Sequence, residues 1–425
     1  MRSTRSSRAF FRWLDGVVRI GQRFGMKEVF TGSFTQQTPI PADAEAAAIA
    51  VMRSGRLHRY NVAPGEEGET AAFEREFAAA MDARHALAVA SGGQAMAIAL
   101  RAAGVVPGDT VLSNAFTLAP VPGAIAAVGA TPVLVETSAA LTIDLEDLAA
   151  KLGRARVLLL SHMRGHLCDM DRLMALCHAA GVTVIEDCAH TMGASWRGVP
   201  SGRHGLAGCY STQTYKHINS GEGGLIVSDD PDFMARATIL SGSYMLHDRH
   251  SAGPGAEAYG ADVLDLPNMS ARMDNLRAAL LRPQLARLSE NCAAWTARYR
   301  VVEAGLAGAP GVTLIERAPE GAFVGSSFQF RLPDAGPEAI AAFVAGALAR
   351  GVEVKWFGAP RPAGYTSRYD HWRNSGAERL PRTDALLATL LDMRIPLTFT
   401  LDDCALIARI LREEAAAIAP RAAAE

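Results

Sequence analysis

From His85 onward, short and nearly uninterrupted apolar runs alternate with stretches of helical spacing. HALAVAS, DTVLSNAF, TPVLVET, ARVLLLSH and VTVIEDCAH read as strands; QAMAIALRAAG (ended by Gly104), the segment around Val121–Val128 and MDRLMALCHAAG read as helices between them. Runs of Val, Ile and Leu without polar alternation belong to strands covered on both faces. The alternation therefore predicts an α/β unit with a mostly parallel sheet. Ligands in such a sheet gather at the carboxyl ends of the strands, so the residues that follow each run are the candidates for chemistry.

After Asp230 the pattern turns helical to about Leu306, with one long helix, or two broken at Pro283, over RMDNLRAALLRPQLARLSENCAAWTARYRVVEAGL. Beyond it SSFQFRLPD, PEAIAAFVAGALARGV and VEVKWFG predict a smaller α+β unit. An Ala-rich helix capped at Thr400 closes the chain. The expected division is a basic extension over 1–30 and a segment over 31–80 that packs with the small unit. A large domain over 81–300 and a small one over 301–425 follow.

Composition narrows the class more than the chemistry. Apolar residues make up 49% and charged residues 20% of 425, with a formal net charge of −2. That balance suits a soluble enzyme or binding protein and gives no field for nucleic acid. Six scattered cysteines without a C-x-x-C pair read as reduced thiols in a cytoplasm. No apolar run approaches the roughly 20 residues of a membrane span. Residues 1–27 are the outlier: six arginines and Lys27 stand against Asp15, interleaved with Phe10, Phe11 and Trp13. Such a stretch suits an anionic membrane surface or targeting, or simply covers a neighbouring subunit or stays loose; the plain extension is the expected reading.

Three strand-end motifs carry the candidate chemistry. In SGGQAM, Gly92, Gly93 and Gln94 open a helix whose N-terminal amides suit an anion, although a plain strand-to-helix turn reads the same way. In VIEDCAHTMGA, Asp187 ends a buried strand as a structural ion pair or as the partner of a cationic ring; His190 follows as a polar residue or a catalyst. No third ligand stands at a recognisable metal spacing from these two. In GCYSTQTYKHINSGEGG, Ser211 offers a hydroxyl to a phosphate. Lys216 lies among apolar flanks that depress its pKa and suit it to a Schiff base, against the plain alternative of a surface lysine. Phosphate donors, then an aspartate, then a serine and a lysine, in that order, meet the needs of a pyridoxal 5'-phosphate site.

On these residues, together with RSGRLHRY, GDTVLSNAFTLAPVPGAIAAVGATPVLVE and ARMDNLRAALL, the chain resembles the DegT/DnrJ/EryC1/StrS family from about residue 39 to 418. The resemblance implies the fold-type-I α/β architecture, with a seven-stranded, mostly parallel sheet. It implies Lys216 as the covalent anchor and proton carrier, Asp187 on the pyridinium nitrogen, and His190 beside the ring oxygen. Ser211, Gly92, Gly93 and Gln94 would hold the phosphate and Leu118 would pack on the ring face. Ser270 and Arg272 would reach the site of a homodimeric partner. The chain departs from the family pattern at Leu118, where an aromatic residue is usual, at Gly93 for threonine, at Ser270 for asparagine, and in KWFGAPRP, which lacks a histidine. Some members carry histidine in place of the lysine and act as dehydratases. Here Lys216 is kept and His217 follows it, which favours transamination from glutamate or glutamine to an oxidised sugar, cyclitol or polyol-like acceptor. A lyase or decarboxylase on the same scaffold and a non-catalytic cofactor-binding sensor stay open beside it. Phe116, Tyr60, Arg164, His166 and Trp356 are candidates for the pocket wall.

Overall fold

The computed structural model describes residues 27–260, 264–375 and 378–419; the basic stretch over 1–26 lies outside them. Seven strands form the main sheet: β1 (His85–Val89), β2 (Thr110–Asn114), β3 (Thr131–Val135), β4 (Val157–Ser161), β5 (Thr183–Asp187), β8 (Ala207–Ser211) and β9 (Gly224–Ser228). Between β5 and β8 stand the two-residue strands β6 (Ser195–Trp196) and β7 (Val199–Pro200), which form a separate small sheet with β11 (Gly321–Ala322). The order in the main sheet is β1-β9-β8-β5-β4-β2-β3. Only β9 runs antiparallel, against β1 on one side and β8 on the other. Strands β2 to β5 are buried along nearly their whole length, which is why their sequences show runs instead of alternation.

Helix Gly92–Ala102 packs across the sheet against β8 and β9, with Ala95, Ile98, Ala99 and Leu100 in the core. The second unit has a four-stranded sheet of β10 (Thr313–Leu314), β12 (Ser327–Arg331), β14 (Leu390–Arg394) and β13 (Lys355–Trp356). Helices Pro337–Ala349 and Leu401–Ile418 share its core with Phe328, Phe330 and Phe343. The terminal helix starts at the capping box made by Thr400 and Asp403, as the sequence predicts. Within 31–80, Phe34 joins the small unit's core, whereas helices Ala42–Ser54 and Glu69–Ala80 pack on helix Asn275–Ala286, and the second also on β1.

Two expectations are corrected. The long helix does not break at Pro283: it runs on to Ala286, turns at Arg287 and resumes over Leu288–Leu306. A proline blocks only the bond to the carbonyl four residues before it, and the other helical bonds carry the chain through. The region after Asp230 is also less helical than its pattern suggests. Helix Pro231–Ser241 stops at Gly242, held in the left-handed region, and the described residues of 242–274 form loops with two short 3-10 turns.

Those loops are tied to the N-terminal helices by a buried ion pair. Arg59 donates to both oxygens of Glu74 at 2.8 Å, Ala88 N–H donates to the same carboxylate at 2.7 Å, and His250 bonds Arg59 and Tyr60. Burial pushes the Glu74 carboxyl up, but the Arg59 guanidinium and His250 more than offset it and hold the pKa at about 2. Removing one partner strands the other charge in the core. We expect Glu74→Ala to lose ~3–5 kcal/mol of stability at pH 7, read as a lower denaturation midpoint. Because the folded pKa lies below the ordinary 4.5, the pair's contribution is fully present above pH 4.5 and is lost as pH falls through about 2. Wild type and variant should therefore converge in acid; equal midpoints at pH 7 would refute the assignment.

Candidate active site

Three parallel strands end side by side, and their last residues build one wall of a cavity. Register pairs Ser161 of β4 with Asp187 of β5, and Asp187 with Cys209 of β8. Ser161 Oγ donates to Asp187 Oδ2 at 2.8 Å, and Ala189 N–H donates to Oδ1 at 3.1 Å. Thr117 Oγ1 donates in turn to Ser161 Oγ at 2.8 Å. Asp187 is 6% exposed. A buried carboxylate persists where donors and a cation balance it, and here it faces the cavity with its outer donors fixed.

Lys216 supplies the cation. It sits in a turn after β8, and its Nζ lies 2.9 Å from His190 Nε2. Burial pushes the ammonium pKa down, Asp187 raises it, and Arg164 and Arg394 lower it, leaving it at about 7. Burial and the neighbouring Lys216 hold His190 well below its usual 6.5. Arg164 N–H donates to His190 Nδ1 at 3.3 Å. A neutral histidine that accepts at Nδ1 carries its proton on Nε2, so that proton points at the Lys216 lone pair. The pair thus orients the amine, which with a pKa of about 7 gives up its proton near neutral pH. Arg164 reaches this position with a left-handed backbone, φ 55° and ψ 26°, a conformation that costs a non-glycine residue about 1–3 kcal/mol. Its side chain is spent elsewhere, on Asp392 of the small unit at 2.7 Å.

Opposite these groups, the N-terminus of helix Gly92–Ala102 abuts the end of β8. A Cβ on Gly92 would stand 2.8 Å from Ser211 Cβ, and one on Gly224 would stand 2.5 Å from the Ser91 carbonyl. Only glycine allows both approaches. The amides of Gly92 and Gly93 lie in the first turn, where helix N–H groups have no partner within the helix, close to the Ser211 hydroxyl. Gln94 departs from expectation: its N–H donates to the capping Ser91 Oγ at 3.2 Å, because the serine cap takes the amide three residues on.

The cavity has a volume of about 550 Å³ and is walled by both units. Lys216, Asp187, His190, Ser211, Gly92, Gly93 and Leu118 all line it. Ser270 and Arg272 do not: Ser270 bonds Asn268, while Arg272 donates to the Gly242 carbonyl and lies over the Tyr244 ring. Of the five proposed wall residues only Arg164 lines the cavity. Phe116 is packed on Phe357 in the core, Tyr60 bonds His250, His166 bonds Gln329, and Trp356 donates to the Ala388 carbonyl. His217 is held between Trp295 and Ser326, apart from the Lys216–His190 pair. Sequence reasoning missed Ser161 and Arg394. Ser161 ends an apolar run at the carboxyl end of a parallel strand, the signal that exposed Asp187, whereas Arg394 ends a strand of the small unit's antiparallel sheet.

The model of the DegT/DnrJ/EryC1/StrS aminotransferase family matches residues 42–412. Among curated relatives, a dTDP-3-amino-3,4,6-trideoxy-alpha-D-glucose transaminase of Streptomyces venezuelae is 34% identical over 66% of this chain and 69% of its own. An L-glutamine:scyllo-inosose aminotransferase of Streptomyces griseus is 32% identical over 58% of this chain and 59% of its own. The alignments thus span about three-fifths to two-thirds of these relatives. Among solved structures, a 3-amino-5-hydroxybenzoic acid synthase superposes with a TM-score of 0.77 at 26% identity, over 91% of this chain and 99% of that one.

Proposed function

The chain belongs to the DegT/DnrJ/EryC1/StrS aminotransferase family, and on that premise we propose that it is a pyridoxal 5'-phosphate-dependent enzyme moving an amino group from glutamine or glutamate to an oxidised sugar or cyclitol. The architecture is the fold-type-I aminotransferase fold. The observation that carries the reading is the buried Lys216 amine, 2.9 Å from His190 and with its pKa lowered to about 7, in the same cavity as a fixed carboxylate and a glycine-lined helix N-terminus.

The residues fit the group on the structure's own terms. A phosphate meets the Gly92 and Gly93 amides and the Ser211 hydroxyl where no Cβ intrudes. Asp187, positioned by Ser161 and Ala189, holds a proton on a ring nitrogen. Leu118 offers an aliphatic wall to a ring face. Pyridoxal phosphate, when bound, supplies an aldehyde for an amine and a ring that draws electrons from the substrate's α-carbon. Lys216 Nζ would be the base that receives the proton leaving that carbon and holds it for return. His190 orients Nζ through the 2.9 Å contact with its Nε2. Residues of both units wall the cavity around the reacting atoms.

In this reading the protein acts as a homodimer, with Ser270 and Arg272 turned towards the partner's cavity. The support is that neither lines its own. Among the described residues no helix is long and apolar enough to cross a membrane; we place the enzyme in the cytoplasm on its six unpaired cysteines, five of them buried.

The reading is tested on purified protein reconstituted with pyridoxal phosphate. A visible band should appear, bleach on addition of L-glutamine or L-glutamate with release of the matching keto acid, and return with a keto-sugar or keto-cyclitol. Ammonia or carbon dioxide in place of keto acid would make the protein a lyase instead. A band that no amino donor bleaches would make it a cofactor-binding sensor.

A further inference from the structure

A cluster of metal-ligand side chains lies outside the cavity, on the far face of the main sheet. Successive strand residues point to opposite faces, so Glu186 of β5 faces away from Asp187, and none of His162, Glu186, Cys188 and His204 lines the cavity. One ligand atom from each of His162, Glu186 and Cys188 lies within 4.8 Å of the others, and none of the three is more than 1% exposed. His162 Nε2 stands 2.9 Å from Glu186 Oε2. Gly202 N–H donates to Oε2, and His204 and Gly205 N–H donate to Oε1, at 2.8, 2.8 and 2.9 Å. Burial pushes the Glu186 carboxyl up, but the two histidines more than offset it and hold it below its ordinary value. The anomaly is His204. Its side chain is 9% exposed, and its Nδ1 lies 3.6 Å from Glu186 Oε2, too far for a hydrogen bond. Both ring nitrogens are buried, and among the described residues neither has a partner.

A buried imidazole with two idle nitrogens is costly unless something not yet counted takes one of them, and an ion does so. Two imidazoles, a carboxylate and a thiolate are the ligand types of a closed, four-coordinate zinc site. With bonds of about 2.0–2.1 Å, nitrogen and oxygen ligands in a tetrahedron stand about 3.3 Å apart. The separations of the two histidine nitrogens from Glu186 Oε2, 2.9 and 3.6 Å, bracket that value. We propose that His162 Nε2, Glu186 Oε2, Cys188 Sγ and His204 Nδ1 form a structural Zn²⁺ site behind the Ser161–Asp187 wall. Binding breaks the His162–Glu186 hydrogen bond, moves that ring's proton from Nε2 to Nδ1 and releases the Cys188 thiol proton to solvent. Burial alone keeps that thiol protonated, so the ion is what ionises the sulfur. His162 follows Ser161, Glu186 precedes Asp187, and His162 N–H donates to the Asp187 carbonyl at 3.1 Å. An ion here ties β4, β5 and the 202–205 loop together and holds the wall from behind. The site goes beyond the aminotransferase reading and does not rest on it.

The test uses holoenzyme dialysed against a chelator and then titrated with Zn²⁺, with bound metal counted by elemental analysis. Wild type should take up one ion per chain, and its melting temperature should rise as it does so. His204→Ala is the informative variant, because a ring without hydrogen bonds can be removed with little loss of structure. Metal-free, it should melt close to wild type. It should nevertheless bind Zn²⁺ at least about 100-fold more weakly, since losing even an outer-shell partner costs about 10- to 100-fold. Cys188→Ser, which keeps the size of the side chain, should bind as weakly. Cd²⁺ reads the sulfur directly: a thiolate charge-transfer band should appear in wild type and be absent from Cys188→Ser. No ion on wild type, or one ion held equally well by both variants, would overturn the site. A Cd²⁺ band that persists in Cys188→Ser would place the ion on another thiol and overturn it too. Failure of the aminotransferase reading would show in the response of the visible band to amino donors and leave the metal count untouched.

Discussion

Lys216→Ala is expected to fold normally and to lose transamination by about 10³-fold or more, the scale set by removing a positioned nucleophile that is also the proton carrier. The rate of the donor half-reaction, followed at the visible band, is the measurement. A variant within a few-fold of wild type would remove Lys216 from the mechanism. The folded state supplies a second readout. In cofactor-stripped protein the folded Lys216 pKa of about 7 lies below its ordinary 10.5, so between those values the unfolded chain holds a proton that the folded chain lacks. Stability from this group therefore rises with pH across that window, and its burial penalty is greatest below pH 7. Alanine removes the penalty. The variant should melt higher than wild type at pH 6, and the gap should narrow towards pH 10. A simple loss of packing would give a variant that melts lower at every pH.

Much of this site could be read before any coordinates because its chemistry is strung along consecutive strand ends. Asp187, Ser211 and Lys216 each follow a buried apolar run, and a parallel sheet brings such ends to one edge. The same rule, applied to LLLSH, would have found Ser161; Arg394 ends a strand of an antiparallel sheet, where the rule gives no direction. What it could not find are partners set by long-range packing. Tyr60 meets His250, 190 positions later, and His166 meets Gln329, 163 positions later; nothing local marks these pairs, so both residues read as pocket candidates. Gln94 failed for a local reason, since Ser91 competes for its amide and the sequence alone does not rank a serine cap against a bound phosphate. The 242–274 loops also defeated periodicity, because Gly242 ends the helix and their anchors, Arg59 and Glu74, lie far upstream.

Asp187→Asn isolates charge from shape. Asparagine can still accept from Ser161 Oγ or Ala189 N–H, so the wall keeps its geometry while the carboxylate that holds a ring proton is gone. Loss of one fixed electrostatic contact of this kind costs about 10²- to 10³-fold in rate, and we expect that loss in the limiting rate of the donor half-reaction. The direction of the pH profile distinguishes this cause from a damaged lysine. Asp187 raises the Lys216 pKa against burial, so its neutralisation moves that pKa further below 7 and leaves more free amine at neutral pH. The holoenzyme variant should be slower, and in cofactor-stripped protein its Lys216 amine should titrate at lower pH than in wild type. Asp187→Glu keeps the charge but adds a methylene that carries the oxygens past Ser161, and should fall between the two. If Asp187→Asn matched wild type in limiting rate, the carboxylate would be a structural partner of Lys216 alone. The case for a ring-nitrogen contact would then fall with it.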